Sequence, residues 1–564
     1  MPEYGPQTDF GQKVFMKKYA GRGEDFRDVC NRVASGLADS TQFYHPLREI
    51  LLSQRFVPAG RILASIGTSR TVCSHNCFVS GTIEDSFVDG PGSIMERATE
   101  AAATMRMGGG IGYDFSGLRP RGATVKRLDS TASGPVSFMH IFNAICLATC
   151  SAGHRRGAQM GILRVDHPDI EEFIHAKQNA HDLTGFNISV AITDKFMRAI
   201  ERGDTEFPLT FRNEVYRVIN PLQLWEQIMR SAWDWAEPGV VFIDKMNQWN
   251  NLQYCETIAA TNPCSEQPLP PYGACLLGSF NLARYMVPHH DSVAKWHFDG
   301  TRLASDIPHI VRAMDNVNDV ARYPLEAQMI EAKHKRRMGL GVMGLANAIE
   351  AMGLPYGSEG FIGAMHAILG MMANAVYIAS TELAREKGPF PLFDAPPYMG
   401  SSYIKGLAPR TQALIAEHGI RNSHLISFAP TGTIALTADN VSSGIEPVFA
   451  LRATNRVNFD DTWIEMEVED YGHRVFGTKP RIANEVTADE HIAVLATAQR
   501  YSDSAVSKTC NIDGSMPWDE FKALYHKAWR LGAKSCSVFN RDGKRMAALV
   551  DVAGSDCKSG TCDV

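Results

Sequence analysis

Asn262, Cys264 and Glu266 stand two residues apart in the stretch Asn262-Pro263-Cys264-Ser265-Glu266-Gln267-Pro268-Leu269. An amide, a thiol and a carboxylate together supply hydrogen bonding, a reactive sulfur and a base. In an extended strand, residues i, i+2 and i+4 share one face. The spacing therefore predicts a strand that projects all three side chains into the same space. Pro263, Pro268, Pro270 and Pro271 favour a loop or a strand end over a helix. A loop with an incidental cysteine is the alternative, and the rest of the chain has to decide.

Other stretches carry chemistry too. Cys77 heads an apolar Phe78-Val79 run, which predicts a strand start with a thiol able to face a cavity. Cys73 and His75 precede it, but no second ligand pair follows at finger-like spacing, so no metal site is expected. Gly108-Gly109-Gly110-Ile111-Gly112 follows a helical segment at about 93–106 and permits close approach of a ligand. Arg155 and Arg156, in a Gly-flanked loop, suit a nucleotide phosphate or base, or simply solvent. Pro430-Thr431-Gly432-Thr433 follows an apolar run and opens a helix, the arrangement of a phosphate site or of ordinary capping. Gly339-Leu-Gly341-Val-Met-Gly344 matches a dinucleotide fingerprint in letters only. Lys333-His-Lys-Arg-Arg337 precedes it where a strand is required, so close packing around a strand is the expected use of these glycines.

The elements that must position these groups are partly readable. Phe10, Val14, Phe15 and Tyr19, then Phe43, Leu47 and Leu51, recur at helical spacing, predicting a helical N-terminal region over 1–55. Arg55 to Thr68 is punctuated by Pro58, Gly60 and Gly67 and reads as a loop. A helix is expected from about Gly134 to Thr149, then an apolar strand, then a helix opened by Asp166 and Asp169. The end, with Cys557 and Cys562 among small polar residues, reads as a mobile tail whose thiols exchange with other sulfurs.

Composition sets the bounds. The chain has 564 residues, 45% hydrophobic and 21% charged, with a formal net charge of −6. That describes a large globular protein and argues against nucleic acid as a partner. No secretory signal and no long uninterrupted apolar run are visible, so the 12 cysteines are expected to be mostly reduced, with no membrane partner and a cytoplasmic location.

Taken together these motifs resemble the ribonucleotide reductases, specifically the adenosylcobalamin-dependent class II enzymes. The resemblance runs over nearly the whole chain: Asn76-Cys77-Phe-Val, Gly108 to Gly112, Gly134-Pro-Val-Ser-Phe-Met139, Arg155-Arg-Gly-Ala-Gln-Met160, Phe186-Asn-Ile-Ser-Val190, Asn262 to Leu269, Cys275-Leu-Leu-Gly-Ser-Phe-Asn-Leu and Pro430-Thr-Gly-Thr-Ile434. It implies an α/β fold, a ten-stranded α/β barrel over 56–545, with the helical region before it, an effector-binding part at about 80–180 and a redox tail at 546–564.

The resemblance also implies roles. Cys264 becomes a thiyl radical and takes the ribose 3′-hydrogen, Glu266 takes the 3′-hydroxyl proton, and Asn262 holds the substrate. Cys77 and Cys275 supply two electrons and a proton as the 2′-hydroxyl leaves, ending as a disulfide. Cys557 and Cys562 re-reduce that disulfide and are reduced in turn by a thioredoxin- or glutaredoxin-like partner. Substrate, expected as the diphosphate, is held by Ser65, Gly67, Thr68, Gly109, Gly110, Pro430, Thr431, Gly432 and Thr433. A deoxynucleoside triphosphate effector is held by Asp85, Ser86, Arg119, Arg155 and Arg156 at a homodimer interface.

Two features favour class II over a class I large subunit that needs a radical-generating partner. Val538 and Phe539 stand where class I carries a tyrosine pair, and Cys275 follows Cys264 by 11 residues. One departure is Pro58-Ala-Gly60-Arg-Ile in place of Pro-Asn-Ser-Pro-Thr, which removes an expected hydroxyl. No ATP-cone domain is expected at the start. A non-catalytic nucleotide-binding relative is the remaining alternative, and the intact set of five site residues argues against it.

Overall fold

The computed structural model describes residues 4–125, 129–151, 155–179, 181–289, 295–459 and 462–544. Cys557 and Cys562 lie outside these residues, as do the side chains of Arg155 and Arg156.

The helical region forms as its periodicity predicts. Helices Asp9–Tyr19, Phe26–Leu37 and Thr41–Leu52 are capped by Thr8, Asp25 and Ser40, whose side chains accept hydrogen bonds from first-turn N–H groups. Phe10, Val14, Phe15 and Tyr19 are buried on one face, as are Phe43, Leu47 and Leu51.

A ten-stranded sheet follows. Cys77–Val79, Gly110–Asp114, Gln159–Arg164, Phe186–Ile192 and Gly239–Phe242 run parallel to one another in that order. The long strand Ala274–Asn281 runs antiparallel to Cys77–Val79 and parallel to Met338–Met343. At the other edge Ser535–Asn540 pairs antiparallel with Gly239–Phe242 and parallel with Thr509–Ile512. Two bridges, Leu340 to Ile426 and Phe428 to Val506, join the edges. The sheet thus curls into a closed α/β barrel of two opposed halves, which leaves few edges exposed.

The segment after Arg55 is not the loop that its Pro and Gly content suggests. Phe56–Pro58 adds to the sheet against Gly278–Phe280, and Gly60–Ser65 is a short helix. The cause is tertiary. The Phe56 ring fills the space over Gly278, where a Cβ would lie 2.2 Å from it, and Ile62 and Leu63 are buried beneath. The glycines at 339 and 341 lie inside strand Met338–Met343 and allow close packing; a Cβ at Gly341 would meet the Ser427 carbonyl at 2.5 Å.

The helix Glu359–Lys387 is long and apolar enough to cross a membrane. Here Phe361, Met365, Leu369, Met372 and Val376 are buried in the protein, on a helix packed beside Gly300–Val320 and Pro409–His418.

After strand Met338–Met343 the chain enters helix Leu345–Ala351, which carries a buried carboxyl at Glu350. Its Oε1 accepts hydrogen bonds from the N–H groups of Tyr356 and Arg481. Burial nevertheless dominates and, with Asp470 nearby, pushes the carboxyl up to about 7. The folded state therefore holds this proton more tightly than the unfolded chain. Its contribution to stability is full below pH 4.5 and is lost as pH rises towards 7. Glu350→Gln is expected to flatten that slope in melts taken from pH 4.5 to 8. At pH 8 it should exceed the wild type by about 2 kcal/mol. An unchanged slope would refute the assignment.

Candidate active site

The stretch that holds Asn262, Cys264 and Glu266 is the tip of a hairpin, not the extended strand that its spacing suggests. Ala260–Thr261 pairs with Pro268–Leu269, and the six residues between them turn inside the barrel. The Ser265 N–H donates to the Asn262 carbonyl at 3.1 Å, and the Asn262 N–H donates to the Gln267 carbonyl at 3.1 Å. Pro263 supplies the fixed φ of a turn's second position, and Ser265 takes a left-handed φ of 65°. That left-handed residue is what breaks the two-residue alternation.

The hairpin touches both halves of the barrel. Asn187 Nδ2 donates to the Pro263 carbonyl at 3.0 Å from the parallel half. Ser427 Oγ at 2.9 Å and the Ala505 N–H at 3.0 Å both donate to the Glu266 carbonyl from the other. These holders were not singled out from sequence. Asn187 lies in the Phe186-Asn-Ile motif, but Ser427 acts through a lone hydroxyl and Ala505 through its backbone N–H, and neither leaves a local signal.

The fold brings Asn262, Glu266, Cys77 and Cys275 together. Asn262 Nδ2 donates to Cys77 Sγ at 3.2 Å, while its Oδ1 accepts from the Gln267 N–H at 2.9 Å. Both ends of the amide are thus fixed. The Cys77 thiol points to Glu266 Oε1 at 3.9 Å. Cys77 stands directly opposite Cys275 in the antiparallel register. Facing residues in such a pair have Cα atoms about 4.5–5.5 Å apart, within the range a disulfide spans. Both thiols are buried in an apolar cluster with Ile162, Val241 and Leu277. Burial pushes the Cys275 thiol well above its ordinary range, so it is a protonated S–H at neutral pH.

Cys264 differs. From Ala260 to Pro270 it is the only residue that is not buried. Cys264 is half-buried at the tip, while the facing pair Cys77 and Cys275 is fully buried.

The glycine run serves the hairpin. A Cβ at Gly112 would lie 1.8 Å from the Thr261 carbonyl oxygen, and one at Gly110 would lie 3.1 Å from Pro263 Cγ. The space at Gly109 is filled by the Phe78 ring, 2.6 Å from an added Cβ.

The Thr431 hydroxyl does not cap the helix Gly432–Thr437; it accepts from the Gly444 N–H at 2.7 Å, and Thr431 itself takes a φ of 56°. Ser65 and Thr68 close the end of helix Gly60–Ser65. Thr68 Oγ1 donates to the Ser65 carbonyl at 2.8 Å, and Ser65 Oγ lies 2.8 Å from Ser74 Oγ. Both segments pack on helix Asp9–Tyr19. Arg119 Nε donates to Asp85 Oδ2 at 2.9 Å, so those two are joined, and Ser86 Oγ accepts from the Asp89 N–H at 3.2 Å. Arg155–Arg156 forms a two-residue strand against Cys150–Ser151.

Comparison with known proteins identifies the family. Residues 6–71 match the family model for the all-alpha domain of ribonucleotide reductase, and residues 75–468 and 467–539 match its barrel domain. A vitamin B12-dependent ribonucleoside-diphosphate reductase of Mycobacterium tuberculosis is 34% identical over 97% of this chain and 78% of its own. One from Thermoplasma acidophilum is 32% identical, over 94% and 69%. The alpha subunit of a Chlamydia trachomatis ribonucleoside-diphosphate reductase is 26% identical, over 74% and 44%.

Proposed function

The chain belongs to the ribonucleotide reductase family, of the vitamin B12-dependent kind, and on that premise we propose how its own residues perform the reaction. It reduces ribonucleotides to 2′-deoxyribonucleotides by radical chemistry. Bound adenosylcobalamin supplies the one-electron oxidation through its cobalt–carbon bond. Cys264, with Pro263 and Ser265 beside it, is the part of the hairpin that would face that cofactor.

Cys264, as a thiyl radical, takes the ribose 3′-hydrogen. Glu266 accepts the 3′-hydroxyl proton, a base held in place through its own carbonyl by Ser427 and Ala505. Asn262, its amide fixed at both ends, orients the sugar. Cys77 and Cys275 then give up two hydrogens between them. One leaves with the 2′-hydroxyl as water, the other ends on the 2′-carbon, the 3′-hydrogen and the 3′-hydroxyl proton return, and the two sulfurs join as a disulfide. The observation that carries this reading is the facing pair Cys77 and Cys275, with Asn262 and Glu266 both on Cys77. A thiol kept protonated by burial suits a group that must give a proton to a leaving hydroxyl.

The substrate is a nucleoside diphosphate, with its phosphates at Pro430 to Thr433 and at Ser65, Gly67 and Thr68. A deoxynucleoside triphosphate effector binds at Asp85, Ser86 and Arg119 with Arg155 and Arg156, at a homodimer interface. Purified protein given a ribonucleoside diphosphate, a small dithiol and adenosylcobalamin is expected to form deoxynucleotide unaided. Product only after addition of a second protein would sink the reading.

Cys557 and Cys562 carry reducing equivalents in from a thioredoxin-like partner. Cys557→Ser with Cys562→Ser is expected to keep the rate driven by the small dithiol and to lose the thioredoxin-driven rate by about 100-fold or more. Equal activity with both reductants would remove the tail from the cycle.

A further inference from the structure

Gln267 follows Glu266 in the hairpin and is completely buried. Its backbone holds Asn262 in place, but its side chain makes no hydrogen bond to any protein group at either Oε1 or Nε2. A buried carboxamide offers two donors and an acceptor, and such groups are nearly always satisfied. Nor is the side chain loosely placed. It occupies the space left open at Gly339, where an added Cβ would lie 2.5 Å from Gln267 Nε2, 2.6 Å from Leu277 and 2.9 Å from Ser427 Cβ.

The location is specific. Gly339 is the register partner of Leu277, and Leu277 lies two residues along the same strand from Cys275. Alternation puts Cys275, Leu277 and Gly339 on one face, the face that carries the thiol pair inside the barrel. An unsatisfied amide therefore lies beside Gly339, the register partner of Leu277, two residues along the strand from the sulfur that is to be oxidised. Ser427, whose Cβ also borders Gly339, has its Oγ committed to the Glu266 carbonyl. Completely buried and unpartnered, the amide can be satisfied only by a small polar molecule.

We propose that the Gln267 carboxamide receives the water molecule released from the ribose 2′-carbon, a role that rests on the reductase reading above. The balance is simple. The 2′-carbon–oxygen bond breaks, the hydroxyl leaves with a proton from the thiol pair, and the resulting water exchanges its contacts for the amide's donor and acceptor. Gln267 forms no covalent bond and is neither oxidised nor reduced. Holding the water off the sugar disfavours its return while the Cys77–Cys275 disulfide forms, and Gly339 is glycine because the amide needs its space.

The test uses full-length protein with adenosylcobalamin, a small dithiol and saturating nucleotide. Gln267→Met keeps the shape and removes the unsatisfied atoms. It is expected to melt higher than the wild type, to give an unchanged paramagnetic cobalt signal, and to lower kcat by about 10-fold or more with KM within about twofold. Gln267→Asn, which restores a carboxamide, is expected to recover kcat to within about threefold of the wild type. Gln267→Leu serves as a second apolar variant with the same expectation as methionine.

Wild-type kcat in either apolar variant would overturn the proposal alone. So would a raised KM at unchanged kcat, which would make Gln267 a nucleotide contact, or an asparagine variant as slow as methionine. A wild type that forms neither product nor the cobalt signal would instead overturn the reductase reading, and this proposal with it.

Discussion

Cys264→Ser is expected to lower deoxynucleotide formation by at least about 10³-fold while leaving the melting temperature within about 1 °C of the wild type. The two halves of that expectation have different causes. An oxygen–hydrogen bond is much stronger than a sulfur–hydrogen bond, so serine cannot be oxidised by an agent matched to a thiol, and no radical arrives at the sugar. The fold, by contrast, hardly depends on this sulfur. Cys264 is the one partly exposed position between Ala260 and Pro270, at the tip of a turn closed by backbone hydrogen bonds. Product formation followed by chromatography, with thermal melts in parallel, separates the two. Residual turnover above a few per cent would mean that Cys264 is not the radical residue. A collapse in melting temperature would mean that it is structural.

The chemical kit was legible in the sequence, but the geometry that arms it was not. Asn262, Cys264 and Glu266 could be singled out because their types are unusual at that spacing. The strand they were expected to share does not exist, because Pro263 and the left-handed Ser265 close a turn. Local signals for that turn were present in Asn262-Pro263, a favoured turn start, and were outweighed by the two-residue period. Cys77 could be placed at a strand start from Phe78-Val79. That it would pair with Cys275 was implied only by the family resemblance and not by local pattern, because the register between strands so far apart in the chain is set by tertiary packing. The helical N-terminal region was plain from periodicity. Phe56–Pro58 was missed, because the space over Gly278 that draws Phe56 into the sheet belongs to a distant strand.

The glycine run at 108–112 was expected to bring a ligand close to the backbone, and the structure gives part of that space to the hairpin instead. Gly112→Ala is the variant that separates the two uses most sharply. A Cβ there would lie 1.8 Å from the Thr261 carbonyl oxygen and 2.9 Å from its carbon. Both contacts are with backbone, which cannot rotate away as a side chain can. Either the strand Gly110–Asp114 or the base of the hairpin must move, and moving the hairpin breaks the contacts from Asn262 and Glu266 to Cys77. The expected cost is about 3–5 kcal/mol, with turnover lost and faster amide exchange across 260–269. Gly109→Ala meets the Phe78 ring and Gly110→Ala meets Pro263 at 3.1 Å, so both should cost less, in that order. If the run serves the hairpin, losses in stability across the three variants will follow these contact distances and activity will follow stability. If Gly109 and Gly110 chiefly admit the nucleotide, their alanine variants will raise KM at an unchanged melting temperature, and the grading by distance will fail.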